Sequence, residues 1–102
     1  MKMLNREEII KDIETHKIIV IMRGFTQEQL IKSVEAMWEG GIRLVEVTFD
    51  QSGRVSDETT ALHIQTLKEH FAGRVRVGAG TVLNEQQVEK AYQAGGEFII
   101  SP

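Results

Sequence analysis

The feature that most constrains this chain is a regular alternation between two kinds of apolar segment. Short runs rich in Ile and Val, at residues 18–22, 44–48, 75–79 and 98–100, are separated by longer stretches with helical apolar spacing. A strand half-exposed to water alternates polar and apolar residues, whereas these runs are almost continuously apolar. That pattern suits strands buried on both faces of a parallel sheet. The expected class is therefore α/β, with four β/α units preceded by a helix over residues 5–15.

The intervening helices carry legible start and stop signals. Thr26 and Gln29 have the spacing of a capping box, in which a hydroxyl and an amide side chain satisfy backbone N–H groups at a helix start. Leu30, Val34, Met37 and Trp38 then form an apolar stripe, and Gly40 and Gly41 end the helix. A second helix is predicted over residues 57–71, with Ala61, Leu62, Ile64 and Leu67 on its apolar face and Gly73 beyond it. Asn84 and Gln87 repeat the capping pattern for a third. Its stripe is Val88, Ala91 and Tyr92, and Gly95 and Gly96 close it. Met37, Trp38 and Tyr92 are read as core residues against the sheet.

The same joint, a glycine pair followed by a strand, occurs before Val45 and before Ile100, which favours a barrel or a doubly wound sheet. The four strand starts lie on average about 27 residues apart. Eight such units would need roughly 215 residues, a usual length for a (β/α)8 barrel. The chain of 102 residues holds about half of that, and no linker-like stretch divides it, so residues 1–102 are read as one unit.

Composition excludes several functions. A net charge of −3, with twelve cations scattered along the chain, gives no basic field for nucleic acid or an anionic membrane surface. Without cysteine there is neither a disulfide framework nor a thiolate metal site, and no His/Asp/Glu spacing suggests a metal. No apolar run approaches the roughly 18 residues of a spanning helix, and the first residues do not resemble a signal peptide. A cytoplasmic protein without metal or cofactor is expected.

In a barrel, chemistry gathers at the carboxyl ends of the strands. Polarity interrupts the apolar runs there at Arg23, at Glu46 and Thr48, at Gly78, Gly80 and Thr81, and at Ser101. Glu46 is the most informative, because a carboxylate between Val45 and Val47 in a buried strand is costly unless paired or functional. Period-2 geometry puts it with Leu44 and Thr48, opposite the two valines. If the valines meet the helices, Glu46 faces the barrel interior, where burial raises its pKa and suits it to proton transfer. The structural alternative is an ion pair with Arg23 across neighbouring strands. Arg23 itself is either a fork for a substrate carboxylate or phosphate, or the partner of Glu46. Glycines at 78 and 80 would let a ligand approach the backbone, and Thr81 adds a hydroxyl ahead of a helix start. Leu83 stands where a dinucleotide fingerprint would want a third glycine. The three histidines, His16, His63 and His70, are expected at the surface.

Taken together, residues 18–23, Glu39-Gly40-Gly41, Val45-Glu46-Val47-Thr48, Gly78-Ala79-Gly80-Thr81-Val82-Leu83 and Phe98-Ile99-Ile100-Ser101-Pro102 resemble the 2-keto-3-deoxy-6-phosphogluconate (KDPG) / 4-hydroxy-2-oxoglutarate (KHG) aldolase family. The resemblance covers almost the whole chain and implies the amino-terminal half of a (β/α)8 barrel. It also implies class I chemistry, in which a lysine forms a Schiff base with a keto acid and retro-aldol cleavage yields pyruvate and an aldehyde. Glu46 matches the family's general acid/base. Thr81 and the backbone of Gly78 and Gly80 match its pyruvate carboxylate pocket. Arg23 matches a polar position of its active site, and Thr48, Ser101 and Pro102 fall within the matching motifs.

Two departures stand out. Asp50 occupies a position where many members carry arginine, and the Schiff-base lysine, which the family places on a later strand, has no counterpart here. Lys17 lies at the wrong end of the first strand, and Lys2, Lys11, Lys32, Lys68 and Lys90 are terminal or helical. Aldol cleavage by this chain alone is therefore not expected. A half barrel leaves strand edges open, so self-association, or membership of a longer enzyme, is expected; the family implies a homo-oligomer, typically a trimer. The competing readings are a non-catalytic half-barrel assembly or binding module, and a phosphosugar isomerase or epimerase barrel.

Overall fold

A computed structural model describes residues 6–16 and 18–101. Along the chain run α1 (Arg6–His16), β1 (Val20–Met22), α2 (Gln27–Glu39), β2 (Leu44–Thr48), α3 (Asp57–His70), β3 (Arg76–Gly80), α4 (Glu85–Gln93) and β4 (Ile99–Ile100). The strands form one parallel sheet in the order β1-β2-β3-β4. Each crossover between neighbours is a helix, as parallel pairing requires. The fold is thus three consecutive β/α units followed by β4 and preceded by α1, a parallel α/β architecture one described helix short of the four units expected.

Local chemistry sets the helix ends where the sequence marked them. Thr26 and Gln29 form the reciprocal capping box at α2, with the Thr26 amide donating to Oε1 of Gln29 at 2.9 Å and the Gln29 amide to the Thr26 hydroxyl at 3.2 Å. Ser56 caps α3 and Asn84 caps α4 by accepting the Thr59 and Gln87 amides, and the Gln87 side chain accepts from the Leu83 amide. At the other ends, Gly41 (φ 104°) and Gly95 (φ 93°) take left-handed backbone conformations that side chains with a Cβ rarely adopt, turning the chain toward the next strand.

The core lies between the sheet and its helices. Val45 and Val47 of β2 and Val77 and Ala79 of β3 pack with Leu30 and Val34 of α2 and with Ile64 and Leu67 of α3, all nearly inaccessible. The edge strands are shorter than the sequence suggests: residues 18–19 and 98 lie outside the ladder because β1 and β4 each have a neighbour on one side alone. Conversely Val75 precedes β3, and Gly80 extends it to pair with Thr48 and Ile100. The proposed helical residue Asn5 lies outside the described residues.

Four side-chain expectations are corrected. Tyr92 and Val88 are exposed, each at 42% of full accessibility. The buried face of α4 is instead Gln87, Ala91 and Ala94, because α4 packs on α3 along one flank, and Val88 and Tyr92 occupy the other. Leu62 is likewise exposed, with Thr60 taking its place on the inward face of α3. His63, expected at the surface, is half-buried one helical turn beyond Thr60. Met37 and Trp38 are half-buried against the core.

Candidate active site

The carboxyl ends of the strands and the loops that follow them form the upper rim of the sheet. Because Val45 and Val47 face the helices, alternation turns Leu44, Glu46 and Thr48 to the opposite side. Glu46 is paired in register with Ile21 and Gly78. Its side chain leans diagonally over β3, so that its carboxyl fills the space a Cβ on residue 80 would occupy.

The residue is 4% exposed, its carboxyl makes no hydrogen bond or ion pair with any described residue, and its oxygens are not among atoms fully shut off from solvent. Burial raises its pKa above the ordinary 4.5, and the positive charge of Arg23 opposes that rise in part. Arg23 thus acts on Glu46 through its field and is not within ion-pair distance of it. The direct pairing considered as a structural role for both residues is absent among the described residues. Partial removal from water disfavours the charged form of a carboxyl that no described residue pairs, which is the cause of the raised pKa.

The neighbouring glycines have a steric explanation. A Cβ on Gly80 would collide with the Glu46 carboxyl, and one on Gly78 would lie against the Phe98 ring, 2.6 Å from Cζ. The ring therefore covers one side of the Gly78 backbone. Thr48 directs its hydroxyl to the Met22 carbonyl at 3.5 Å, bridging the tops of β1 and β2. Thr81, immediately after β3, has φ 54°, a left-handed conformation disfavoured for a β-branched residue. Strain of this kind persists only where surrounding structure enforces it, and it concentrates at functional sites. Ser101 is exposed at the end of β4, and Pro102 lies outside the described residues.

A cleft of about 450 Å³ opens at the same rim. Arg23, Thr48 and Thr81 line it together with Asp50, Arg54 and His63; Glu46, Gly78, Gly80 and Ser101 do not. Asp50 shapes the loop between β2 and α3. Its Oδ1 accepts from the Ser52 amide at 2.9 Å and the Ser52 hydroxyl at 2.7 Å, and its Oδ2 accepts from the Val55 amide at 3.0 Å. Those hydrogen bonds, led by the Ser52 hydroxyl, hold its pKa below the ordinary 3.8. Position 50 is therefore a loop-organising acid in this chain. The residues sequence reasoning missed are Arg54 and His63; a guanidinium in a polar loop and an imidazole beside a helix's apolar face gave no local signal.

No group of His, Asp and Glu suited to a metal occurs among the described residues. Their lysines lie away from the rim: Lys32, Lys68 and Lys90 bind Glu28, Glu97 and Glu58 at 3.3, 2.9 and 3.6 Å, and Lys11 is exposed on α1. Lys2 and Lys17 lie outside the described residues. No described helix is long and apolar enough to cross a membrane.

Comparison with known proteins gives this geometry a context. Residues 9–102 match the family described as KDPG and KHG aldolase. The chain is 32% identical over 94 residues to 2-dehydro-3-deoxy-phosphogluconate aldolase of Treponema pallidum, covering 92% of this chain and 41% of that protein. It is 35% identical over 75 residues to the KHG/KDPG aldolase of Escherichia coli K12, covering 74% and 32%. Among solved structures it resembles the KDPG aldolase of Legionella pneumophila, in which pyruvate was captured at low pH as a covalent carbinolamine intermediate. That likeness has a TM-score of 0.70 and 30% identity, over 82% of this chain and 37% of the other. The chain thus spans well under half the length of these relatives, and over that span the agreement in sequence and fold establishes that it belongs to the KDPG and KHG aldolase family.

Proposed function

We propose that this chain is the amino-terminal half of a (β/α)8 barrel and carries the proton-transfer side of a class I aldolase site. The reaction is cleavage of KDPG, or of 4-hydroxy-2-oxoglutarate, to pyruvate and an aldehyde. The observation that carries the reading is Glu46: nearly inaccessible, unpartnered among the described residues, turned away from the helices, and held in a setting that raises its pKa. A carboxyl of that kind stays protonated to higher pH than a surface acid, which suits it to passing a proton to and from a ligand.

In class I chemistry an amine attacks the keto carbon, and the resulting carbinolamine loses its hydroxyl as water, for which an acid must supply a proton. In the cleavage step the C3–C4 bond breaks, its electrons pass into the iminium, and the C4 hydroxyl loses a proton to a base. Glu46 suits both steps, alternating between acid and base. Arg23 tunes Glu46 and offers its fork to a substrate anion. Thr48, Thr81 and Ser101, with the backbone at Gly78 and Gly80 and with Pro102, complete the substrate side. The amine comes from a lysine that the described residues do not offer, so the 102-residue chain is expected to give no borohydride-trapped adduct with pyruvate by mass spectrometry. In an enzyme that carries this chain together with a Schiff-base lysine, Glu46→Gln tests the role directly, and unchanged turnover would remove Glu46 from it.

The exposed apolar side chains support association as well. Ile21 on β1 and Ile99 and Ile100 on β4 are 58%, 43% and 41% exposed, and both strands are sheet edges. Open parallel edges flanked by bare isoleucines favour a homo-oligomer or closure by further strands. The reading includes a soluble cytoplasmic setting with a small keto acid as partner, without nucleic acid, membrane or cofactor.

A further inference from the structure

On the face that β2 and β3 turn away from the helices, β3 offers Glu46 two notches, because residues 78 and 80 both lack a Cβ. Gly78 lies directly opposite Glu46 in the register, and Gly80 lies two residues nearer the rim. Across β3, the pairing of Ala79 with Ile99 sets Phe98 opposite Gly78 as well. Glu46 and Phe98 therefore flank one glycine from its two sides, each about 4.8 Å away across the ladder. The two notches hold different groups. The Phe98 ring fills the lower one, its Cζ 2.6 Å from where a Cβ on residue 78 would sit, and Glu46 takes the upper one, its Cγ 2.7 Å from the same point on residue 80. An aromatic ring thus closes the straight path from Glu46 across β3, and the carboxyl leans up the strand by two residues, about 6.6 Å. Charge does not account for the lean. Arg23, whose field Glu46 feels, follows β1 on the side of β2 away from β3. Arg76, two residues below Gly78, is bound by Asp12 and Glu97.

We propose that Phe98 is a positioning residue for the Glu46 reaction: its ring occupies the notch at Gly78, tips the Glu46 carboxyl into the notch at Gly80 and so delivers it toward the rim. The ring also gives the carboxyl an apolar neighbour on its lower side, in keeping with a pKa raised by partial removal from water. The effect on turnover rests on the proton-transfer role of Glu46, whereas the placement is a property of this chain alone. Failure of that role shows in the turnover of Glu46→Gln, and failure of the placement shows in the contacts Glu46 makes.

Nuclear Overhauser contacts in the 102-residue chain test the placement. In the wild type the Glu46 γ-methylene should contact the Gly80 Hα protons, and the Phe98 ring those of Gly78. Phe98→Ala opens the lower notch, so contacts from Glu46 to Gly78 should appear, and the Glu46 titration midpoint should fall toward 4.5 as water reaches the carboxyl from below. Phe98→Leu leaves part of the notch filled and should shift both in the same direction by less, which keeps the test open if the alanine variant loses its fold. In a complete enzyme, Phe98→Ala should lower turnover by about 10–10²-fold with KM within about twofold, since a displaced proton donor slows the chemistry without removing a binding contact. Wild-type contacts from Glu46 to Gly78 in place of Gly80 would overturn the proposal. So would contacts and a midpoint that stay unchanged in whichever variant keeps its fold.

Discussion

The two ends of the sheet treat their charges in opposite ways. At the lower end, where the strands begin, charges are matched: Glu97 binds Lys68 at 2.9 Å and Arg76 at 3.0 Å, Arg76 also binds Asp12 of α1, and Glu97 accepts the Val77 amide at 3.2 Å. Glu97 is 9% exposed as a residue against 4% for Glu46, and its surroundings satisfy it. At the upper end Glu46 has no partner among the described residues, and Arg23 and Arg54 stand without carboxylates. One fold therefore carries two buried glutamates in contrary settings. The lower one holds elements together; the upper one is left unpaired among the described residues, with its pKa raised by burial. Barrels in general divide their ends this way, stability below and chemistry above.

That contrast can be broken at several points, beginning where the effect is largest. In a complete enzyme, Glu46→Gln should lower turnover by about 10²–10⁴-fold, the range usual for loss of a general acid/base, with little change in thermal midpoint. Steady-state kinetics with circular dichroism decides it. Glu97→Ala should do the reverse in kind, reducing the stability of this chain by about 3 kcal/mol in urea unfolding, because Lys68 and Arg76 lose a buried counter-charge while Arg76 retains Asp12. Gly78→Ala should reduce stability by about 1–3 kcal/mol, since the added methyl must displace the Phe98 ring. Gly80→Ala would put a methyl where the Glu46 carboxyl now lies and force that side chain to move, so its effect is best read as a changed Glu46 titration.

The smallest effect is one of sign. Since the folded-state pKa of Glu46 is raised, the native chain holds a proton that the unfolded chain releases once the pH passes 4.5. Its contribution to stability therefore declines as pH rises from 4.5 to the raised value, and stays constant above it. The Glu46→Gln variant should lack that decline, so the difference between variant and wild-type unfolding curves should grow in the variant's favour over that window. Asp50 behaves oppositely: its lowered pKa gives stability that is present above 3.8 and lost on acidification below it.

Most of the architecture was legible because it rests on local chemistry. Continuous Ile/Val runs signalled strands covered on both faces, and Thr26 with Gln29 signalled a cap through the very side chains that make it. Glu46 was legible for a related reason: a charge between valines violates the pattern of its own strand. What stayed hidden depends on distant partners or on helix rotation. The Asp12–Arg76 contact joins residues 64 positions apart, and nothing around Glu97 in sequence announces its two cations. His63 and Tyr92 were misplaced because each sits at the margin of an apolar face, where a few tens of degrees of rotation separate burial from exposure.

The most direct test of an unsatisfied upper glutamate is its own titration, followed through the side-chain carboxyl carbon by nuclear magnetic resonance in this chain and in Arg23→Ala. The expected result is a Glu46 midpoint above 4.5 that moves higher still when Arg23 is removed. A midpoint at or below 4.5, or one that falls in Arg23→Ala, would contradict the account.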